Sequence, residues 1–362
     1  LYLAQFIGIY GISFIVLFLN LLLFYFIKRK NIFYTLFALI FIFLVIYLPN
    51  LFSRNTPVAD SQSVTVGVVQ TQNSSEADPS PKKEIIKFNE QINFLKKIAA
   101  QKNTPNIIVL PEASDFFKNI STFINTEEAK DFFSKLSEKP ILIIDNSRMI
   151  DDEGLIKSRT IYLDSKEGIV GWYDKRLLMP AGEYLPDSIK WTAKILDPSK
   201  INFFDQYRYF NKGQKPPQPI KFQNLNIGAL ACSELLSPSS NRSLVQNGSD
   251  VIIIQASTGL FNGNNSIVNQ NLATARMRAA ENRKPLILAA NYGLSYIISS
   301  NGGVQKITPN YLPQILTDTV VLNSKKTLYN KVGDMPWFMA SFALLACLRI
   351  KNSLISRKRH RE

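Results

Sequence analysis

The sequence predicts an α/β fold for the central part of the chain, with apolar helices on either side. Between residues 57 and 334, short apolar, β-branched runs alternate with segments of helical periodicity. This pattern is typical of α/β domains whose sheets are largely buried. Two long runs without charged residues precede this region, and a shorter one follows it. The chain has 362 residues, enough for one large core and additional membrane segments.

The first 50 residues predict two membrane-spanning helices. Residues 6–27 and 32–48 contain no charged side chain, and a bilayer core is crossed by about 20 apolar residues. Buried core helices are the alternative interpretation, but two such runs in succession make that interpretation less favoured. No basic segment precedes the first run, which argues against a signal peptide.

A third apolar run predicts a C-terminal membrane helix over residues 335–350. The run is short, so a core helix is again the alternative, but Arg349 and Lys351 can extend it by placing their charges at the interface. Residues 351–362 follow as a basic tail.

Basic residues predict the orientation of these helices. Lys28, Arg29 and Lys30 separate the first two runs, and six more Lys and Arg residues lie within residues 349–361. The two patches hold more than half of the net charge of +14. The positive-inside rule places them in the cytoplasm and residues 57–334 on the extracytoplasmic side. Because the charge is concentrated beside apolar runs, we expect contact with the lipid bilayer and none with nucleic acid.

Within residues 57–334 the pattern predicts nine strands and two helices. One helix is indicated by apolar residues at helical spacing between Ile85 and Ala99, and the other covers residues 271–283. Residues 199–219 are irregular and rich in aromatic side chains, which are either packed or interfacial. The predicted strands are residues 64–69, 106–110, 141–145, 160–163, 169–173, 227–231, 251–254, 286–290 and 296–299.

The composition excludes several kinds of active site. The single histidine, His360, lies in the basic tail, so no Ser-His-Asp triad or histidine zinc site can form in the central domain. Two cysteines, Cys232 and Cys347, are too few for a disulfide framework or a cysteine-rich metal site. Acid–base chemistry must therefore use carboxylates, lysine or a thiol. We expect neither a metal nor a cofactor.

Three candidate catalytic residues each follow a predicted strand: Glu112, Lys175 and Cys232. Reactive groups of α/β folds collect at strand ends. A carboxylate can activate a thiol, and a lysine beside both can stabilise the thiolate and an oxyanion. Each residue also has an ordinary explanation. Glu112 could start a helix, Lys175 could be solvated, and Cys232 could be a small buried apolar side chain.

The sequence around these residues resembles the Glu, Lys and Cys motifs of the carbon–nitrogen hydrolase (nitrilase) superfamily. Further segments are similar to its membrane branch, the apolipoprotein N-acyltransferase family. The matching segments are Leu110-Pro111-Glu112, Cys232-Ser233-Glu234 and residues 8–20, 173–186, 275–281, 291–293 and 329–336. The resemblance implies a four-layer α-β-β-α nitrilase-like sandwich with flanking transmembrane helices, on the outer face of the bacterial cytoplasmic membrane.

The resemblance also implies roles. Cys232 would take an acyl chain from a phospholipid donor as a thioester, with Glu112 as general base and Lys175 stabilising the tetrahedral intermediate. The α-amino group of a diacylated lipoprotein would then accept the chain. Further residues match acidic positions of the family or are candidates to face the lipid substrates. The acidic residues are Glu183 and Glu234, and the substrate-facing candidates are Tyr184, Ser233 and Phe261.

The sequence departs from the family pattern at several positions. Ser233 stands where the family usually has Tyr, the segment around Gly259 lacks an Asn-Asp pair, and Phe261 stands near a Trp position. The family usually has more helices before the first one here, and the chain begins with Leu1, so we expect either an N-terminally incomplete membrane domain or an unusually short member of the family.

Two other functions stay open at this point. One is a membrane-tethered nitrilase-type amidase, in which the same three residues would use water as acceptor. The other is a non-catalytic membrane protein that keeps the fold as a binding surface. The aromatic residues 203–210 favour a lipid-facing entrance and hence the acyltransferase. The presence of all three candidate catalytic residues disfavours the non-catalytic protein.

Overall fold

The computed structural model describes residues 1–28, 32–53, 62–73, 80–180, 182–196, 210–261 and 264–359. Most of the predicted aromatic segment, residues 203–209, lies outside the described residues, as do Arg29, Lys30 and His360. The chain divides into two compact units. The larger contains Asp60–Ala279 and Arg283–Ser324, and the smaller contains Leu1–Ala59, Ala280–Asn282 and Lys325–Glu362.

All nine predicted strands are present, and three further strands join them. The strands are β1 (Ser63–Gln70), β2 (Ile107–Val109), β3 (Leu142–Ile150), β4 (Ile156–Asp164), β5 (Gly168–Asp174), β6 (Ile220–Phe222), β7 (Leu225–Ala231), β8 (Val251–Ser257), β9 (Leu286–Asn291), β10 (Tyr296–Ile298), β11 (Val304–Ile307) and β12 (Gln314–Val321). The additional strands are β6, β11 and β12, which lie at the edges of the sheets.

The strands form two six-stranded sheets. One has the order β12-β1-β2-β3-β4-β5 and the other β11-β10-β9-β8-β7-β6. β1, β2 and β3 are parallel in the first sheet, and β7, β8 and β9 are parallel in the second. The carboxyl ends of β2 and β7, where Glu112 and Cys232 follow, are therefore ends of parallel strands.

Helices flank the sheets and form the smaller unit. They are α1 (Ala4–Lys28), α2 (Ile32–Ser53), α3 (Pro81–Ala99), α4 (Phe116–Phe123), α5 (Thr126–Leu136), α6 (Asp187–Leu196), α7 (Pro238–Gln246), α8 (Asn265–Asn282), α9 (Leu328–Val332) and α10 (Met335–Arg359). The predicted helices at 85–99 and 271–283 correspond to α3 and α8, and both begin earlier than predicted.

The larger unit is a four-layer α-β-β-α sandwich, as predicted. One apolar core lies between the sheets and contains Val66 and Ile253. The outer face of the first sheet packs on α3, α4 and α5 through residues such as Leu95. The outer face of the second packs on α7 and α8 through residues such as Leu244 and Ala275. Strands buried on both faces read as continuous apolar runs, which is why they were predictable.

The smaller unit contains the apolar helices. In the described part of the chain, α1 is the one helix long and apolar enough to cross a membrane by length and composition, and Met335–Ala346 is a shorter apolar stretch within α10. Residues 32–48 are helical within α2. Membrane crossing by the segments at 32–48 and 335–350, and the orientation of the helices, stay predictions.

The first turns of α1 are bent at Gly8, which has a φ of 64°. A Cβ at this position would lie 2.3 Å from the ring of Tyr329 in the same unit, so both the backbone angle and the close approach require glycine. At the bend, the amide of Ile9 donates to the carboxylate of Glu281 at 2.7 Å. The hydrogen bond satisfies an amide inside the bent helix.

Candidate active site

The three candidate catalytic residues converge in the larger unit. Lys175 Nζ donates to Glu112 Oε1 at 2.8 Å, and the thiol of Cys232 lies close enough to both side chains for their charges to act on its pKa. Lys175 also donates to Glu183 Oε1 at 2.6 Å. The structure therefore brings the end of β2, the end of β5 and the end of β7 to one cluster of four side chains.

Lys175 is enclosed by protein, with a side chain that is 1% exposed. Burial works to lower the pKa of Lys175, but its attraction to Glu112, Cys232 and Glu183 outweighs burial and raises the pKa above its ordinary value. The amine is therefore a permanent ammonium at neutral pH. It stands beside the thiol, where it can stabilise negative charge.

Cys232 occupies a sharp turn directly after β7. Its φ is 42°, in the left-handed region, and it begins a 3₁₀ helix, Cys232–Leu236. The partly exposed thiol donates to the carbonyl of Ser257 at 3.7 Å. Removal from water and the neighbouring Glu112 raise the pKa of Cys232 to about 12, although Lys175 acts in the opposite direction. The thiol is therefore protonated at neutral pH and needs a base, and Glu112 is the neighbouring carboxylate that can serve as one.

Glu183 holds Lys175 from the other side. Its Oε2 accepts a hydrogen bond from the amide of Met179 at 2.8 Å, which closes the turn that follows β5. Burial and repulsion from Glu112 raise the pKa of Glu183, while Lys175 lowers it in part. The net effect is a pKa above the ordinary value, so Glu183 binds a proton more readily than a solvated carboxylate does.

Glu234 joins the end of β7 to the segment that carries Lys175. The side chain is fully buried. One carboxylate oxygen accepts from Tyr173 Oη at 2.6 Å and from the amide of Arg176 at 3.0 Å, and the other accepts from the amide of Ala231 at 3.0 Å. The contacts on both sides of the carboxylate fix the two strand ends relative to each other.

The loop that carries Glu112 is fixed by two polar residues of β3 that the sequence did not identify. Asp145 accepts from the amides of Phe116 and Phe117, at 3.2 and 3.0 Å, and so holds the start of α4. Asn146 accepts from the amide of Ala113 at 3.0 Å. Burial raises the pKa of Asp145 despite these hydrogen bonds. The only sequence signal was a polar pair that continues the apolar run 141–144.

The three substrate-facing candidates are all partly buried. Ser233 Oγ donates to the carbonyl of Leu177, so this residue links the turn at Cys232 to the segment after Lys175. Tyr184 pairs with Pro180 in an isolated bridge. Phe261 ends a 3₁₀ helix, Gly259–Phe261, that follows Ser257. Their exposure to lipid stays a prediction.

The cluster can perform nucleophilic catalysis with an assisting base and a fixed cation. Within the residues described, no group of three or more His, Cys, Asp and Glu side chains is arranged to bind a metal. The arrangement supplies a thiol, a neighbouring carboxylate and an ammonium, which are the parts that acyl transfer through a thioester requires.

The fold and the cluster define a carbon–nitrogen hydrolase. The model of the carbon–nitrogen hydrolase family matches residues 65–326, and the chain belongs to that family. Solved structures agree on the fold. A carbon–nitrogen hydrolase from Helicobacter pylori superposes with a TM-score of 0.53 at 18% identity, over 72% of this chain and 89% of the other. Nit3 of Saccharomyces cerevisiae, a member of the nitrilase superfamily, superposes with a TM-score of 0.51 at 16% identity, over 71% of this chain and 90% of the other.

Within that family, the chain is similar to apolipoprotein N-acyltransferases. The protein of this name from Geobacter metallireducens is 27% identical over 364 residues, covering 97% of this chain and 67% of the relative. The one from Wigglesworthia glossinidia brevipalpis is 26% identical over 368 residues, covering 98% and 68%. The one from Aquifex aeolicus is 28% identical over 229 residues, covering 61% and 46%. The chain thus spans at most about two thirds of these relatives.

Replacing Lys175 by Met should destabilise the larger unit strongly. The substitution leaves Glu112 and Glu183 enclosed together without a cation, which costs about 3–5 kcal/mol of unfolding free energy. The loss should be smaller at pH 5 than at pH 8, because a proton on Glu183, whose pKa is already raised, removes the repulsion. Chemical unfolding of the detergent-solubilised protein at both pH values measures the change.

Lys135→Met is the matched control for this prediction. Lys135 pairs with Asp131 at 2.6 Å, but both side chains are more than half exposed, so the expected loss is below about 1 kcal/mol and independent of the cluster. Equal losses for the two lysine variants, or a loss at Lys175 that does not change with pH, would contradict the prediction.

Proposed function

We propose that the protein is an acyltransferase that N-acylates apolipoproteins. It transfers a fatty acyl chain from a phospholipid to the α-amino group of an N-terminal diacylglyceryl-cysteine. The observation that carries this proposal is the clustering of the Cys232 thiol with Glu112 and the enclosed Lys175 ammonium, which is hydrogen-bonded to Glu112. The cluster occurs in a chain that aligns over 97% of its length with an apolipoprotein N-acyltransferase.

The first half of the reaction loads Cys232. Glu112 accepts the thiol proton as the sulfur attacks the ester carbonyl of the phospholipid, and Lys175 stabilises the oxyanion of the tetrahedral intermediate. When the intermediate collapses, the C–O bond breaks and the lysophospholipid alcohol takes the proton from Glu112. The products are a Cys232 thioester and a lysophospholipid.

The second half unloads the cysteine onto an amine. The neutral α-amino group of the lipoprotein attacks the thioester, and Lys175 again stabilises the oxyanion. Glu112 accepts a proton from the attacking nitrogen, the C–S bond breaks, and the proton passes to the departing thiolate. An amide and the free thiol result, and the two separate steps give ping-pong kinetics.

We also propose that the protein is a multi-pass protein of the bacterial cytoplasmic membrane. Both substrates are lipids, and α1 is long and apolar enough to anchor the chain. The basic residues that separate the first two apolar runs and those of the C-terminal tail support a catalytic unit on the extracytoplasmic side and a tail in the cytoplasm.

An amidase is the second candidate function. The same cluster could deliver the acyl group to water, and the solved carbon–nitrogen hydrolase with the same fold is the observation that favours it. The two functions differ in the acceptor and in the acyl donor. A purely binding role is disfavoured because a lysine that is 1% exposed between two carboxylates is costly to maintain for surface recognition alone.

Cys232→Ser should abolish transfer of a labelled acyl chain from phospholipid to a diacylated lipopeptide. A hydroxyl in the same position is much harder for a carboxylate to deprotonate than a thiol, so the loaded intermediate does not form. Cys347→Ser, in the apolar helix α10, should keep activity close to that of the unmodified protein. Unchanged transfer by the Cys232 variant would disprove the nucleophile assignment, and an equal loss in the Cys347 variant would reverse the choice of thiol.

Mass spectrometry of the purified protein separates the two candidate functions. Incubation with phospholipid should add one fatty acyl group to the peptide that contains Cys232, and a diacylated lipopeptide should then discharge it. The reason is that the thioester persists until an amine arrives. An adduct that forms only with small amides or nitriles would favour the amidase and rule out the acyltransferase.

A further inference from the structure

The side chain of Gln255 crosses the apolar core between the two sheets close to the cluster. Gln255 lies in β8 opposite Ala231 of β7, the residue before Cys232. Its side chain is fully buried and points from the second sheet to the first, where its partners lie. The core around it consists mainly of aliphatic side chains from both sheets. A polar side chain in such a place is tolerated only when its hydrogen bonds are satisfied.

The amide group of Gln255 has three partners in the first sheet. Nε2 donates to the carbonyl of Leu110 at 2.8 Å and to the carbonyl of Ile144 at 3.2 Å. Oε1 accepts from Thr160 Oγ1 at 2.8 Å. Because carbonyl oxygens can only accept, the nitrogen must face them, and the orientation of the amide is fixed by chemistry.

One of these partners directly follows β2, which leads to Glu112, and another lies in β4, which pairs with the strand that leads to Lys175. Leu110 lies two residues before Glu112. Thr160 pairs across the ladder with Tyr173, two residues before Lys175. One side chain therefore links the strand beside Cys232 to the strand ends that present Glu112 and Lys175. Apolar packing alone is non-directional and does not fix how far one sheet slides over the other, whereas three hydrogen bonds to one planar group do.

We propose that Gln255 is a positioning residue that sets the separation between the Cys232 thiol and the Glu112–Lys175 pair. This inference rests on the roles proposed above for Cys232 and Glu112. The side chain contacts no reacting atom. It acts by holding the two sheets in the alignment in which the carboxylate reaches the thiol.

The test measures alkylation of Cys232 by iodoacetamide as a function of pH, in a Cys347→Ser background. In the parent protein, Glu112 takes the thiol proton, so alkylation at neutral pH does not require prior ionisation. In Gln255→Leu the rate at pH 7 should fall at least about tenfold and should then rise steadily with pH, as for an unassisted thiol. Mass spectrometry confirms the modified residue.

Gln70→Leu is the matched control. Gln70 is equally buried, and its Nε2 also donates to two carbonyls, those of Asn310 and Leu312, at 2.7 and 2.9 Å. Its Oε1 accepts from the amide of Ser295 and from Thr308 Oγ1. None of these four partners lies in β2, β4, β5 or β7. The control should lower the unfolding temperature as Gln255→Leu does, yet leave the alkylation rate within about twofold of the parent.

A second variant covers the case in which Gln255→Leu does not fold. Thr160→Val removes one of the three hydrogen bonds and keeps the shape of the side chain, so the alkylation rate at pH 7 should fall about threefold with the same change in pH profile. A parent-like rate and profile in either folded variant would overturn the inference, as would an equal loss in Gln70→Leu.

The outcome is separable from the proposed function. Alkylation needs no lipid substrate, so a protein that fails to transfer acyl chains but shows the Gln255 effect would refute the acyltransferase and keep the positioning role. Intact acyl transfer together with normal alkylation in Gln255→Leu would keep the acyltransferase and refute the positioning role.

Discussion

The catalytic unit depends on one enclosed ammonium that lies between two carboxylates. A charge removed from water needs close partners of opposite sign, and an incomplete set leaves a large unfavourable energy. Lys175 obtains its partners from Glu112, at the end of β2, and from Glu183, in the turn after β5. These ion pairs therefore hold the strand ends of the first sheet in one arrangement. The contact that balances the charge of Lys175 also fixes the position of Glu112.

Cys232, the proposed nucleophile, belongs to the other sheet, and we propose that neutral and charge-assisted hydrogen bonds align it. Glu234 connects the end of β7 with the segment after β5. The amide of Gln255 connects β8 with the end of β2. The apolar core between the sheets supplies most of the cohesion but little positional information. Most of the cohesion and most of the alignment thus come from different residues in this unit. The left-handed backbone at Cys232 is unfavourable by itself, and the surrounding contacts compensate for it.

Much of the fold could be predicted because the strands are buried on both faces. Runs such as Ile252-Ile253-Ile254 alternate between two apolar layers, so they contain no polar residue that obscures them. β11 and β12 were missed because their exposed edge positions are occupied by polar residues. The separate segments of the candidate site could be proposed from strand ends and from family motifs. The polar residues that align them did not, because their partners are distant in sequence, as the 145-residue separation of Gln255 and Leu110 illustrates.

The side chains of the cluster carry a net charge that stays constant during the proposed reaction. Two carboxylates and one ammonium give an excess of one negative charge while the thiol is protonated. Under the proposed roles, that excess is unchanged when the proton moves to Glu112, and again when electron density passes from sulfur to the substrate oxygen. The chemistry therefore relocates charge without altering its total. A site of constant total charge needs no counterion to enter or leave during turnover, which suits a reaction carried out against hydrocarbon chains instead of open water.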